Sequence, residues 1–144
     1  MTLLPSEPVR LLLVEDNGAD RRLFQENLKA LPFPLPIRLD IVTDGEEALA
    51  FLRQQPPYAD VQRPHVIFLD LYLPRKTGFE VLGELEQDPT LTTIPVVACL
   101  GSSLLKEELT AYRLPADCFF LKGYDPAELL RILTHCRAHA TATA

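Results

Sequence analysis

Residues 66–70 read Val66-Ile67-Phe68-Leu69-Asp70, four apolar residues closed by one acid. Four apolar side chains in a row leave no polar face, so the segment suits a strand covered on both sides. The same grammar recurs along the chain. Leu11-Leu12-Leu13-Val14 follows Arg10 and ends in Glu15 and Asp16. Val96 to Leu100 opens after Pro95, and Cys118 to Leu121 runs into Lys122. Arg38 to Val42 alternates polar and apolar residues and reads as a further strand, partly exposed.

Helical signals lie between these strands. Asn17 is a good cap with Asp20 in the first turn, Phe24, Leu28 and Leu31 mark one face, and the stretch Pro32 to Pro36 ends that helix. Asp44 with Glu47, and Thr77 with Glu80, stand at capping-box spacing. Val81, Leu82 and Leu85 form an inward face. Leu105, Leu109 and Tyr112 sit at i, i+4, i+7 of a fourth helix. Asp125, Pro126 and Glu128 open a fifth, with Leu129, Leu133 and Cys136 as its buried face. Strands alternating with helical crossovers predict an α/β fold, a parallel sheet with helices on both faces. One domain is expected over residues 9–137, with flexible tails at 1–8 and 138–144.

Composition narrows the function. Of 144 residues, 47% are hydrophobic and 24% charged, a globular mixture. The net charge of −6 leaves no basic footprint for nucleic acid and no polybasic patch for a membrane surface. No apolar run is long enough to span a bilayer, and residues 1–8 lack the pattern of a signal peptide. The three cysteines, Cys99, Cys118 and Cys136, are odd in number and widely spaced, so small buried hydrophobes in a reducing compartment are expected. The expected location is the cytoplasm.

In a parallel sheet all strands end on one edge, where ligands bind. Glu15 and Asp16 follow the first strand, Asp70 closes the third, and Lys122 follows the fifth. Three clustered carboxylates repel unless something neutralises them, and a hard divalent cation such as Mg²⁺ fits. A carboxylate nucleophile, a cation and a lysine together suit formation of an acyl phosphate.

The joint pattern resembles the receiver domains of two-component signalling, from Val9 to about Arg137. Leu11-Leu12-Leu13-Val14-Glu15-Asp16-Asn17 resembles that family's first strand with its acidic pair. Val66 to Pro74, followed by Gly78, resembles the phosphoacceptor strand and its loop. The resemblance implies a flavodoxin-like (βα)5 three-layer sandwich with sheet order 2-1-3-4-5. It implies Asp70 as phosphoacceptor, and Glu15, Asp16, Asp70 and the backbone carbonyl of Tyr72 as Mg²⁺ ligands. Lys122 would contact the phosphoryl group, and a sensor histidine kinase would be the donor. Asn17-Gly18-Ala19-Asp20, Pro57-Tyr58-Ala59-Asp60, Leu73 to Gly78 and Asp88-Pro89 look like the small stand-alone receivers paired with bacterial phytochrome kinases. That likeness implies a homodimer through the face of the fourth helix, fifth strand and fifth helix.

Two positions depart from the family. Leu100 stands where receivers carry a threonine or serine, with Gly101, Ser102 and Ser103 directly after it. Phe119 holds the aromatic switch position, so a leucine at 100 implies impaired switching. Gly123 replaces a proline that is often cis, and a trans Lys122–Gly123 bond is expected, since a non-proline cis bond costs about 2.5–4 kcal/mol. Tyr72 either slows hydrolysis of the acyl phosphate or simply packs over its loop. Arg75 and Lys76 either steer an anionic partner or sit on a solvated loop. Tyr112, Leu114 and Phe120 belong either to a dimer patch or to the core, and His135 with His139 has metal-binding spacing but no third ligand.

The leading reading is a signalling module that is not an enzyme and that carries no output domain of its own. Its rival is a pseudo-receiver, a constitutive interaction module favoured by Leu100 and Gly123. A metal-dependent phosphohydrolase fits the carboxylates but lacks a second nucleophile–base pair.

Overall fold

The computed structural model describes residues 7–31, 36–100, 119–121 and 126–142. Strands β1 (Val9–Val14), β2 (Ile37–Val42), β3 (Val66–Asp70), β4 (Val96–Leu100) and β5 (Phe119–Leu121) form one sheet in the order β2-β1-β3-β4-β5. All pairings are parallel. This is the sheet order that the family resemblance implies. Helices α1 (Gly18–Lys29), α2 (Gly45–Leu52), α3 (Gly78–Glu86) and α4 (Pro126–Ala142) are those among the described residues. The expected helix around Leu105 to Tyr112 lies outside them, as do Tyr112 and Leu114 themselves.

Alternation along the apolar strands sorts side chains into two cores. Leu12, Val14, Ile67, Leu69, Ala98 and Leu100 point to one face and pack under α2 and α3. Leu11, Leu13, Phe68, Val97 and Cys99 point to the other, against Phe24 of α1 and Leu129, Ile132 and Leu133 of α4. Phe24 meets Phe68 edge-on with ring centroids 4.9 Å apart. Burying each such ring or leucine contributes about 1.5–3 kcal/mol. Cys99 is buried, as its apolar neighbours predict. No described helix is long and apolar enough to cross a membrane.

The caps follow the sequence. The Asn17 side chain accepts the Asp20 amide at 3.0 Å, and Thr77 with Glu80 forms the full reciprocal box. Asp44 accepts the Glu47 amide at 2.8 Å. Glu47 does not return to the Asp44 amide; its carboxylate takes the Thr43 amide and the Tyr58 hydroxyl, the latter at 2.5 Å. Helix α4 continues through Ala142, where the sequence reading places a tail from residue 138. Alanines at 138, 140 and 142 are the strongest helix formers.

Candidate functional site

Register builds the site. Val14 pairs with Leu69 across β1 and β3, so the next residues, Glu15 and Asp70, stand level at the carboxyl edge of the sheet. Asp70 in turn pairs with Cys99, which puts Leu100 one step beyond on the neighbouring strand. One carboxylate oxygen from each of Glu15, Asp16 and Asp70 lies within 4.8 Å of the others. Glu15 and Asp70 are buried, at 3% and 5% exposure, while Asp16 is open to solvent. Two buried acids beside a third are an unstable grouping by themselves. Three hard oxygen donors, one facing solvent, fit a hard divalent cation that keeps several waters. Of the described residues, only these three form such a cluster.

The backbone around the cluster is pinned. The Asn17 amide donates to Glu15 Oε2 at 3.2 Å. Arg21, one turn into α1, donates from Nη1 to the carbonyls of Glu15 (3.2 Å) and Asp16 (2.8 Å). It clamps the end of β1 from a position that no sequence motif marks. The Tyr72 amide donates to Asp70 Oδ1 at 3.0 Å, which orients the carboxylate and holds the start of the following loop. Leu71 and Leu73 anchor that loop in the core on either side of Tyr72. The Tyr72 ring is 58% exposed and lies edge-on to Phe79 at 5.8 Å.

Close approaches seat the same loop on two helices. The Gly78 amide donates to the Leu71 carbonyl at 3.0 Å. A Cβ at Gly78 would come within 2.3 Å of the Asp70 carbonyl oxygen, so only glycine lets α3 begin this near the strand end. A Cβ at Gly45 would meet the Lys76 carbonyl oxygen at 2.1 Å, so α2 also starts hard against the loop. Arg75 turns the chain in the left-handed region, at φ 62°. Its guanidinium lies 3.4 Å from the Asp44 carboxylate at the cap of α2. The Lys76 ammonium bonds to Glu84, which also pairs with Arg53 at 3.2 Å. The Lys76 hydrogen bond, helped by Arg53, lowers the Glu84 carboxyl below its ordinary range against the opposing effect of burial. Both basic loop residues are therefore tied to the protein's own acids. The sequence left them as steering charges or a solvated loop; neither the long-range pairing of Arg75 with Asp44 nor that of Lys76 with Glu84 on α3 has a local signature.

Leu100 is fully buried, at 0% exposure, within the core under α2 and α3. Lys122, Gly101, Ser102, Ser103 and Gly123 lie outside the described residues, as do the side chains of Phe119 and Phe120. His135 is exposed on α4, and the side chain of His139 lies outside the described residues.

Comparison with known proteins is consistent across three kinds of likeness. The family model for the response regulator receiver domain matches residues 11–134. Response regulator Rcp1 of Synechocystis sp. is 41% identical over 126 residues, which cover 88% of this chain and 84% of that protein. Among solved structures, the phosphorylated cyanobacterial phytochrome response regulator RcpA superposes with a TM-score of 0.72 at 40% identity, covering 96% of this chain and 97% of that one. The Mn²⁺-bound form of Rcp1 gives a TM-score of 0.69 at 40% identity over 91% of each chain.

Proposed function

Since the chain belongs to the response regulator receiver domain family, we propose that it accepts a phosphoryl group on Asp70 from a sensor histidine kinase of the phytochrome type. The observation that carries this reading is the cluster of Glu15, Asp16 and Asp70 oxygens within 4.8 Å at the sheet edge. The phytochrome assignment is supported by relatives that include RcpA, a phytochrome response regulator 40% identical to this chain.

In this reading an Asp70 carboxylate oxygen attacks the phosphorus of a phosphohistidine. A P–O bond forms, the P–N bond breaks, and the imidazole leaves with the electron pair and takes up a proton. The Tyr72 amide on Oδ1 orients the attacking carboxylate. Burial of Asp70 strips away water that would compete for it. Glu15, Asp16, Asp70 and the Tyr72 carbonyl would hold Mg²⁺, whose charge offsets that of the transferring group. Lys122 would contact the phosphoryl oxygens. The receiver spans residues 9–137, works in the cytoplasm as a signalling module rather than an enzyme, and dimerises through the face formed by the helix expected around Leu105 to Tyr112, β5 and α4.

A second reading, the pseudo-receiver, is favoured by one observation. Leu100 fills its site completely, at 0% exposure, where the family places a hydroxyl. Intact-mass measurement after incubation with Mg²⁺ and acetyl phosphate separates the two. One labile phosphate, lost in Asp70→Asn, is the expected result. No phosphate on either protein overturns the acceptor reading and leaves the interaction module.

A further inference from the structure

At the opposite end of the sheet, where the strands begin, lies a cleft of about 440 Å³. It is bordered by Arg10 at the start of β1, by Gln62, Arg63 and His65 before β3, and by Thr90 and Thr93 before β4. Among the described residues, no carboxylate lines it. The length of β3 separates it from the acidic cluster, about 15 Å at the rise of a strand. It is independent of the phosphoacceptor reading.

Three observations concern the groups around it. Arg10 is only 9% exposed yet carries a full charge. Its Nε–H donates to the Arg63 carbonyl at 2.9 Å. Arg63 is held likewise, through its own Nε–H on the Leu52 carbonyl at 2.8 Å. Among the described residues, neither guanidinium has a carboxylate within ion-pair distance. Glu7 acts on Arg10 only through space and is opposed there by Arg38. His65 adds a third donor. Its Nδ1 accepts the Arg10 amide at 2.9 Å, which leaves the ring proton on Nε2. That Nε2 is buried, with no hydrogen-bond partner among the described residues.

Among the described residues, two guanidinium groups face this cleft with no carboxylate in ion-pair distance, and a bound anion offsets their charge. Guanidinium groups match the oxygens of phosphate and carboxylate. The volume is that of a small-molecule site. In a chain of net charge −6, a donor-rich cleft lined by no described acid is a local exception that selects negative charge. We propose that this cleft binds a small oxyanion, a phosphate ester or a polycarboxylate, received by the guanidinium groups of Arg10 and Arg63 beside His65.

The test titrates inorganic pyrophosphate and, separately, citrate into the full chain in metal-free buffer at constant ionic strength. The readout is the histidine side-chain NMR spectrum; the chain has three histidines, and His65→Gln assigns the relevant signal. Expected is a saturable shift of the His65 resonances with at least one probe, at a dissociation constant of about 1 mM or below. Tighter binding of pyrophosphate assigns a phosphate ligand, and tighter binding of citrate a polycarboxylate. Arg63→Gln weakens binding about tenfold, since a charged hydrogen-bond donor is lost. Thr93→Val, on an exposed position, weakens it less and keeps the test open should Arg63→Gln fail to fold. Asp70→Asn leaves the affinity unchanged. The proposal is overturned if neither probe moves His65 saturably up to about 10 mM. It is also overturned if binding survives both cleft substitutions intact or disappears in Asp70→Asn.

Discussion

Gly45→Ala is the substitution that most directly tests how α2 supports the phosphoacceptor loop. On intrinsic grounds it should stabilise, because alanine inside a helix is favoured over glycine by up to about 1 kcal/mol. The structure says otherwise. The new Cβ would lie 2.1 Å from the Lys76 carbonyl oxygen and 2.9 Å from Val81 Cγ2. Reaching ordinary contact requires a backbone shift of about 1 Å. Overpacking of this kind costs about 1–3 kcal/mol. The clash outweighs the helix preference, and a net loss of about 1–2 kcal/mol is expected. With a urea slope of about 1–2 kcal/mol/M, the unfolding midpoint should fall by about 1 M. Gly83→Ala is the internal control, because its Cβ would meet nothing within 4 Å on the exposed face of α3. It should raise stability by about 0.4–1 kcal/mol. The displaced Lys76 carbonyl belongs to the loop that carries Tyr72, so Mg²⁺ affinity, read by tyrosine fluorescence, should weaken severalfold in Gly45→Ala alone. A Gly45→Ala protein as stable as the parent would refute the packing argument. A destabilised protein with unchanged Mg²⁺ affinity would refute the buttress.

Further outcomes follow from single sites. Leu100→Thr removes a fully buried apolar side chain and should lower stability by about 1–3 kcal/mol in urea unfolding. It should also raise the yield of phosphorylated protein or the conformational response, and no change in either removes Leu100 as the cause of impaired switching. Burial, and then the charge of Arg10, lower the His65 imidazole below its ordinary pKa of 6.5. The folded state therefore favours the neutral ring. Its contribution is complete above about pH 6.5 and is lost on acidification below it, with a slope of at most about 1.4 kcal/mol per pH unit. Chemical denaturation from pH 7.5 to 5 should show this loss in the parent and less of it in His65→Gln; equal slopes would exclude His65 as the source. Tyr58, partly buried and hydrogen-bonded to Glu47, has its hydroxyl pushed up to about 12, so its absorbance titration should midpoint near there, and a midpoint near 10 would show the Glu47 bond to be absent in solution.

How far the residues alone reach can be judged element by element. The runs Leu11 to Val14 and Val66 to Leu69 have no polar face, so only a sheet covered on both sides could hold them. The acids that close those runs had to share the carboxyl edge once the sheet was parallel. Asn17 and Thr77 announce helix starts because a cap bonds within its own first turn. All these signals are local, carried by side chains a few residues apart. Register is not local. That Glu15 stands level with Asp70 depends on Val14 meeting Leu69, which nothing in either strand specifies by itself. Glu47 sits at capping-box spacing, yet its carboxylate goes to Thr43 and Tyr58, because a loop folded back from residue 58 offers a hydroxyl.

The same division separates the two poles of the molecule. The acidic edge was legible because strand ends are marked in sequence and a parallel sheet gathers them. The basic cleft was not, since Arg10 and His65 meet across 55 residues and neither lies in a recognisable pattern. The clamp of Arg21 on the end of β1 and the contact of Gly45 with Lys76 were hidden for the same reason. Periodicity and capping act over one or two turns of chain and determine which elements exist and what closes them. Which elements touch, and hence which charges find partners, is decided by packing of the two cores against the sheet, an energy that no single segment contains.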